Sequence, residues 1–270
     1  ATDSAIFGRP IPVTGIAGDQ QASAFGQAAF RSGMMKCTYG TGAFALLNTG
    51  IKRIESKNRL LTTVAWQLDG SLTYALEGSI FVAGASVQWL RDGLGIIKTA
   101  PETETLAAGI ESTRGVYFVP AFVGLGAPHW NTDARGALFG MTRDTGPAEI
   151  TRAALEAIAY QTRELLEAME ADGAKQPSKL KVDGGVTENG WAMQFLSDIL
   201  HIDIERPVVT EMTALGAATL AGLGAGVYRD LEEITVTLRS DCVWSPSMTD
   251  AHRDELYSGW KTAVSRTLSK

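Results

Sequence analysis

The pattern of apolar and polar positions changes partway along the chain, from a period near two to a period near 3.6. "IPVTGIAG" reads as a short buried strand ending in glycines, and "DQQASAFGQAAF" as a helix with Phe25, Ala28 and Ala29 on one face. "GMMKCTYGTGAFALLNTG" predicts two strands around a turn at Gly40-Thr41-Gly42. "LLTTVAWQLDGSLTYALEGS" predicts a second hairpin, because Asp69-Gly70 between β-rich flanks suits a two-residue turn. Its last residues, the "EGS" around Gly78, are expected to link a strand to the helix "IFVAGASVQWLRDGLG". Residues 116–144 are rich in glycine and aromatics, and read as an ordered loop insertion carrying short strands.

From "TGPAEITRAALEAIAYQTRELLEAME" onward the period is helical. Thr145 could cap this helix, and Pro147 suits its first turn. Ile150, Ala154, Ile158, Leu165 and Met169 line one face. "LKVDGG" then reads as a strand, "TENGWAMQFLSDIL" as a helix and "IDIERP" as a short strand. "TALGAATLAGLGAG" is a helix of small residues that permits close backbone packing, and "DELYSGWKTAVSRTL" is a last helix. Hairpins followed by β-α-β-α predict an α/β layer fold on a mixed sheet.

Composition narrows the function classes. With 270 residues, 45 % of them hydrophobic, the chain can bury a substantial core. Its formal net charge is −6 and no Lys/Arg-rich run stands out. Such a chain is a poor candidate for wrapping nucleic acid or lying on an anionic membrane. No apolar run approaches the roughly 18 residues of a membrane span, and the start has no signal-peptide pattern, so a cytoplasmic protein is expected. Two cysteines, Cys37 and Cys242, make no disulfide framework, and without CxxC spacing no metal site is expected. The start lacks an initiator Met and soon enters a strand-like run, so the chain is expected to be a piece of a longer protein.

The sequence has no GxxxxGK[ST] and no GxGxxG between strand and helix, nor HExxH or GxSxG. Three glycine turns remain: "YGTG", "EGS" and "DGG". Backbone amides at such turns can hold phosphate oxygens without a lysine, although glycine turns also occur in any α/β protein. Asp19 follows Gly18 and precedes a helical run, which on pattern alone favours helix capping over proton transfer. Asn189 could equally cap a helix, Thr41 could satisfy its own turn, and Phe118, Phe122 and Trp130 read as core rather than as a ligand cage.

The segments "GIAGDQQASAFGQ", "TYGTGAFALLNTG", "YALEGSIFVAGASVQWLRD", "VPAFVGLGAPHWNTDARGALFGMTR", "LKVDGGVTENGWAMQF" and "ERPVVTEMTALGAATLAG" occur in this order, and together they resemble the glycerol kinases and, more broadly, the sugar kinases related to them. The resemblance runs from about residue 10 to the C-terminus. It implies a ribonuclease-H-like α/β fold of the actin/hexokinase/Hsp70 ATPase type, a mixed sheet with helices on both faces. It further implies that residues 1–270 are the C-terminal domain of a two-domain kinase, whose N-terminal domain is a missing partner across the cleft. The implied reaction is phosphorylation of glycerol to sn-glycerol 3-phosphate by ATP with Mg²⁺, giving ADP.

By the same resemblance Asp19 matches the catalytic base, Gln20 a glycerol contact, and Phe44 an aromatic packed on the glycerol carbons. Thr41 matches a phosphate contact, Gly84 and Gln88 nucleotide contacts, and Gly185 and Asn189 contacts to adenosine. No metal ligand follows from it, and it leaves open a homo-oligomer of the full-length enzyme. His129, Asn131, Cys37 and Gly190 depart from the family pattern, none at an assigned position. The competing readings are a kinase for another polyol or pentulose, a non-catalytic actin-like nucleotide-binding module, and a structural domain in which Asp19 only caps.

Overall fold

A computed structural model of the chain describes residues 1–269. In chain order the elements are α1 (Ser4–Phe7), α2 (Asp19–Gly26), β1 (Met35–Tyr39), β2 (Ala43–Gly50), β3 (Leu61–Leu68), β4 (Ser71–Ile80), α3 (Gly84–Gln88), α4 (Glu102–Ala108), β5 (Tyr117–Val119) and β6 (Ala137–Phe139). They continue with α5 (Pro147–Ala171), β7 (Lys179–Asp183), α6 (Gly190–Leu200), β8 (Asp203–Pro207), α7 (Met212–Gly224), α8 (Leu231–Thr237), β9 (Ser240–Trp244) and α9 (Asp250–Leu268).

The two glycine-turn hairpins form as expected. Asp69 and Gly70 both have positive φ, the backbone that closes a tight hairpin between β3 and β4. Together the hairpins build one side of a seven-stranded sheet of order β3-β4-β2-β1-β7-β8-β9. β1 pairs with β7, and β7 with β8, in parallel, while the other neighbours are antiparallel. β5 and β6 pair separately within the 116–144 insertion.

Alternation along the central strands separates two cores. Met35, Cys37 and Tyr39 of β1 face a large core with Leu155, Ile158 and Leu165 of α5 and with α6 and α9. Leu46 of β2 faces a smaller core with Phe25 of α2, Trp66 and Leu220 of α7. Both faces are thus covered, which is why β2 is buried almost throughout. The small residues of α7 let it lie against α2: a Cβ on Gly216 would fall well inside contact with the Ala22 carbonyl.

Several expectations are corrected. "IPVTGIAG" is not a buried strand. It is an exposed extended segment whose Thr14 hydroxyl donates to the Ala221 carbonyl, and it has no partner strand among the described residues. α2 stops at Gly26 because Ala28 has positive φ. The "EGS" around Gly78 lies inside β4 and is no turn. The following helix starts only at Gly84 and ends in a π turn at Trp89–Gly93. Gly146, not Thr145, precedes α5, and its N–H donates to the Glu149 carboxylate at 3.0 Å. Phe118 and Phe122 do pack in the core around Trp89, but Trp130 sits apart, against Phe81, with its indole N–H on the Arg59 carbonyl. α1, α4, α8 and β9 lie outside the sequence reading.

Candidate functional site

Three chain turns meet at the C-terminal ends of the parallel strands β1 and β7, where open α/β sheets commonly bind ligands. The Gly40-Thr41-Gly42 turn is fastened to the start of α3. The Gly84 amide donates to the Gly40 carbonyl at 3.0 Å, and the Ala83 and Ala85 amides donate to the Thr41 carbonyl at 2.9 and 3.0 Å. The carbonyls of this turn are therefore spent inward, and Thr41 itself is exposed with its hydroxyl available to an anion. The close approach needs glycine: a Cβ on Gly84 would lie 2.6 Å from the Gly40 carbonyl oxygen. The turn after β7 abuts the same place. Gly184 has φ +91°, and a Cβ there would lie 2.5 Å from the Tyr39 carbonyl oxygen.

Between these turns lies a cavity of about 420 Å³ whose walls include Thr41, Gly84, Gln88, Gly185 and Asn189. All five residues expected to hold a nucleotide are thus brought together from three separate stretches of sequence. Gly185 has open space above it. Asn189 caps α6, its carboxamide oxygen accepting the Ala192 amide at 2.9 Å, its NH₂ donates to Thr103, and it also lines the cavity. Arg91, Glu188, Thr103 and Glu104 also line it; the last two were unflagged by the sequence because α4 carries no glycine turn or motif.

Asp19, Gln20 and Phe44 do not line this cavity. Asp19 is the first residue of α2 and is exposed. The residue before the helix is Gly18, so Asp19 is not in the capping position, and its carboxylate accepts the Gln20 amide at 2.8 Å. From Gln20 a polar chain runs into the sheet. The Lys36 ammonium donates to the Gln20 carboxamide oxygen at 2.5 Å and to Thr38 Oγ1 at 3.0 Å. Thr38 Oγ1 lies 3.2 Å from Ser23 Oγ, which donates to the Asp183 carboxylate at 3.0 Å. Phe44, 41 % exposed, is the cross-strand partner of Thr38, so the aromatic ring stands beside this chain. Phe44 also borders a recess of about 80 Å³ with Glu77 and Trp130.

The chain joins the Asp19 end of the site to Asp183, the residue just before the Gly184-Gly185 turn. Lys36 is fully buried, and burial draws its ammonium below its usual value, against the pull of Asp183, Cys37, Glu77 and Asp19. Burial likewise raises the Glu77 carboxyl, with Lys36 opposing and Asp19 reinforcing the rise. The sequence reading missed Lys36, Thr38, Ser23 and Asp183. The sequence offers only a lone charge inside "MMKCTY"; its burial follows from the covering of both faces of β1.

Comparison with known proteins places this arrangement. Residues 35–225 match the FGGY family of carbohydrate kinases, C-terminal domain. A glycerol kinase of Alteromonas mediterranea is 58 % identical over 261 residues, which cover 97 % of this chain and 53 % of that protein. The crystal structure of Plasmodium falciparum glycerol kinase with ADP superposes with a TM-score of 0.89 at 44 % identity, covering 94 % of this chain and 51 % of that one. A xylulose kinase of Rhodospirillum rubrum shares the fold, with a TM-score of 0.82 at 23 % identity over 97 % of this chain and 53 % of that one. The chain therefore spans about half the length of the relatives it matches. It belongs to the FGGY family of carbohydrate kinases and corresponds to their C-terminal domain.

Proposed function

We propose that this chain is the nucleotide-binding, base-carrying half of an enzyme that phosphorylates glycerol with ATP, yielding sn-glycerol 3-phosphate and ADP. The observation that carries the reading is the convergence of Thr41, Gly84, Gln88, Gly185 and Asn189 on one cavity, with a hydrogen-bonded chain running from Gln20, beside Asp19, to Asp183 just before the Gly184-Gly185 turn. Phosphoryl transfer asks a protein chiefly for positioning and charge stabilisation, with one group to take the alcohol proton. In this reading the Thr41 turn and the open face of Gly185 hold the phosphates and the adenosine. Asp19 receives the proton of the terminal hydroxyl, Gln20 holds that hydroxyl, and Phe44 covers the carbons.

Bound MgATP supplies the transferable phosphoryl group. Among the described residues no cluster of three or more His, Cys, Asp or Glu side chains forms a metal cage. Mg²⁺ keeps waters and substrate phosphates as ligands and would enter with the nucleotide. The preceding half of the enzyme closes the cleft and completes the polyol site.

The test is a substrate comparison on the full-length parent enzyme with glycerol, xylulose and gluconate. Glycerol is expected to be the preferred acceptor by kcat/KM, and a preference for either of the others would sink this reading.

A further inference from the structure

Lys36 is the feature that packing does not explain. Its register partners, Leu46 on β2 and Lys181 on β7, place its side chain on the α2 face of the sheet, where it is fully buried. An apolar residue would fill such a position without desolvating a charge. Among the described residues the ammonium nevertheless meets no carboxylate directly. Its two hydrogen-bond partners are neutral oxygens, on Gln20 and Thr38. The charged and titratable groups around it are Asp183 on β7, Glu77 on β4, Asp19 on α2 and the neighbouring Cys37 on β1.

An ammonium can only donate. By taking the carboxamide oxygen of Gln20 it fixes which way that side chain faces. What remains for the cleft is the NH₂ group, and it stands on the Asp19 side, with Nε2 3.4 Å from the carboxylate. A donor and an acceptor are thereby set side by side. A primary hydroxyl matches that pair, since its oxygen accepts from Gln20 while its hydrogen goes to Asp19.

We propose that Lys36 is a positioning residue for the acceptor substrate: it holds Gln20 as an obligate hydrogen-bond donor beside Asp19, so that the pair selects and aligns a neutral primary hydroxyl. The proposal rests on the reading of Asp19 and Gln20 as the acceptor-binding pair.

The test uses the full-length parent enzyme with Lys36→Met, Gln20→Glu, Gln20→Leu and the double variant Lys36→Met/Gln20→Leu, each checked by thermal melting. Lys36→Met is expected to raise the KM for glycerol about tenfold or more, the scale of one lost hydrogen bond, with the KM for ATP within about twofold. The double variant is expected to be no worse than Gln20→Leu, because both act through one contact. Gln20→Glu keeps its partner Lys36 but has no NH₂, and is expected to match Gln20→Leu in its glycerol KM. Should Lys36→Met not fold, Gln20→Glu still decides. A Gln20→Glu enzyme with an unchanged glycerol KM, or multiplying effects in the double variant, overturns the inference while the wild type still phosphorylates glycerol. A wild type inert toward glycerol overturns instead the functional reading beneath it.

Discussion

Asp19 shows how one residue can satisfy a helix and still be free for chemistry. It begins α2 without occupying the capping position, one carboxylate oxygen is held by the Gln20 amide, and the side chain faces solvent. A purely structural Asp19 would be replaceable by serine, which suits helix starts equally well. In the full-length parent, both Asp19→Asn and Asp19→Ser are expected to lower kcat by about 10²–10⁴, the usual worth of a positioned base. ADP affinity should stay within a few-fold, measured by calorimetry. Serine retaining wild-type turnover would reduce Asp19 to a helix-start residue. The motif made Asp19 visible in the sequence. The fold made Lys36 visible, because a lysine in "MMKCTY" acquires meaning only once both faces of β1 are known to be covered.

At the scale of elements, the site depends on backbone approach. Gly84 and Gly184 let three turns touch, and Gly216 lets α7 press on α2, the helix that carries Asp19. The long helix α5 was legible from its 3.6-residue period, and its far end shows a different device. The Asp172 carboxylate, at the C-terminal end of α5, accepts from the Ser56 hydroxyl at 2.5 Å and from the Lys57 amide and the Asn58 NH₂ at 2.8 Å each, pinning the loop that leads into β3. Burial alone would raise this carboxyl, but the hydrogen bonds from Ser56, Lys57 and Asn58 outweigh it and hold it below its ordinary 3.8. A lowered folded value means that the stabilisation is present above the unfolded value and is lost as pH falls through the folded one. Asp172→Asn is therefore expected to lower Tm by about 2–8 °C at pH 7. It should also flatten the fall of Tm below pH about 4 relative to wild type. Parallel Tm–pH curves would contradict the assignment.

For the whole molecule, the relevant fact is that the chain spans about half of its relatives. The cavity at the three glycine turns is walled by residues of this chain, whereas Asp19, Gln20 and Phe44 lie on exposed or half-exposed surface. Large apolar side chains are also uncovered near the start, Ile6 at 71 % and Ile16 at 86 % exposure. The purified chain is accordingly expected to bind ADP, measured by calorimetry. It should show no glycerol-dependent ATP consumption above background in a coupled assay. Turnover at the rate of the full-length parent would show that no second half is needed.

The sequence by itself determined the α/β class, the two glycine hairpins and α5, because hydrophobic period and turn chemistry are written over short distances. It misread "IPVTGIAG", whose apolar residues look strand-like, because a strand needs a neighbour with free backbone groups and that segment lies along α7 instead. It placed "EGS" in a turn, because nothing local says that β4 runs on to Ile80 beside β2. Only the tertiary structure decided that Thr41, Gly84, Gln88, Gly185 and Asn189 share one cavity, and that Lys36 ties Gln20 to the sheet. Those are relations between residues up to 160 positions apart, as between Ser23 and Asp183, and they exist only once the parallel pairing of β1 with β7 brings the turns together.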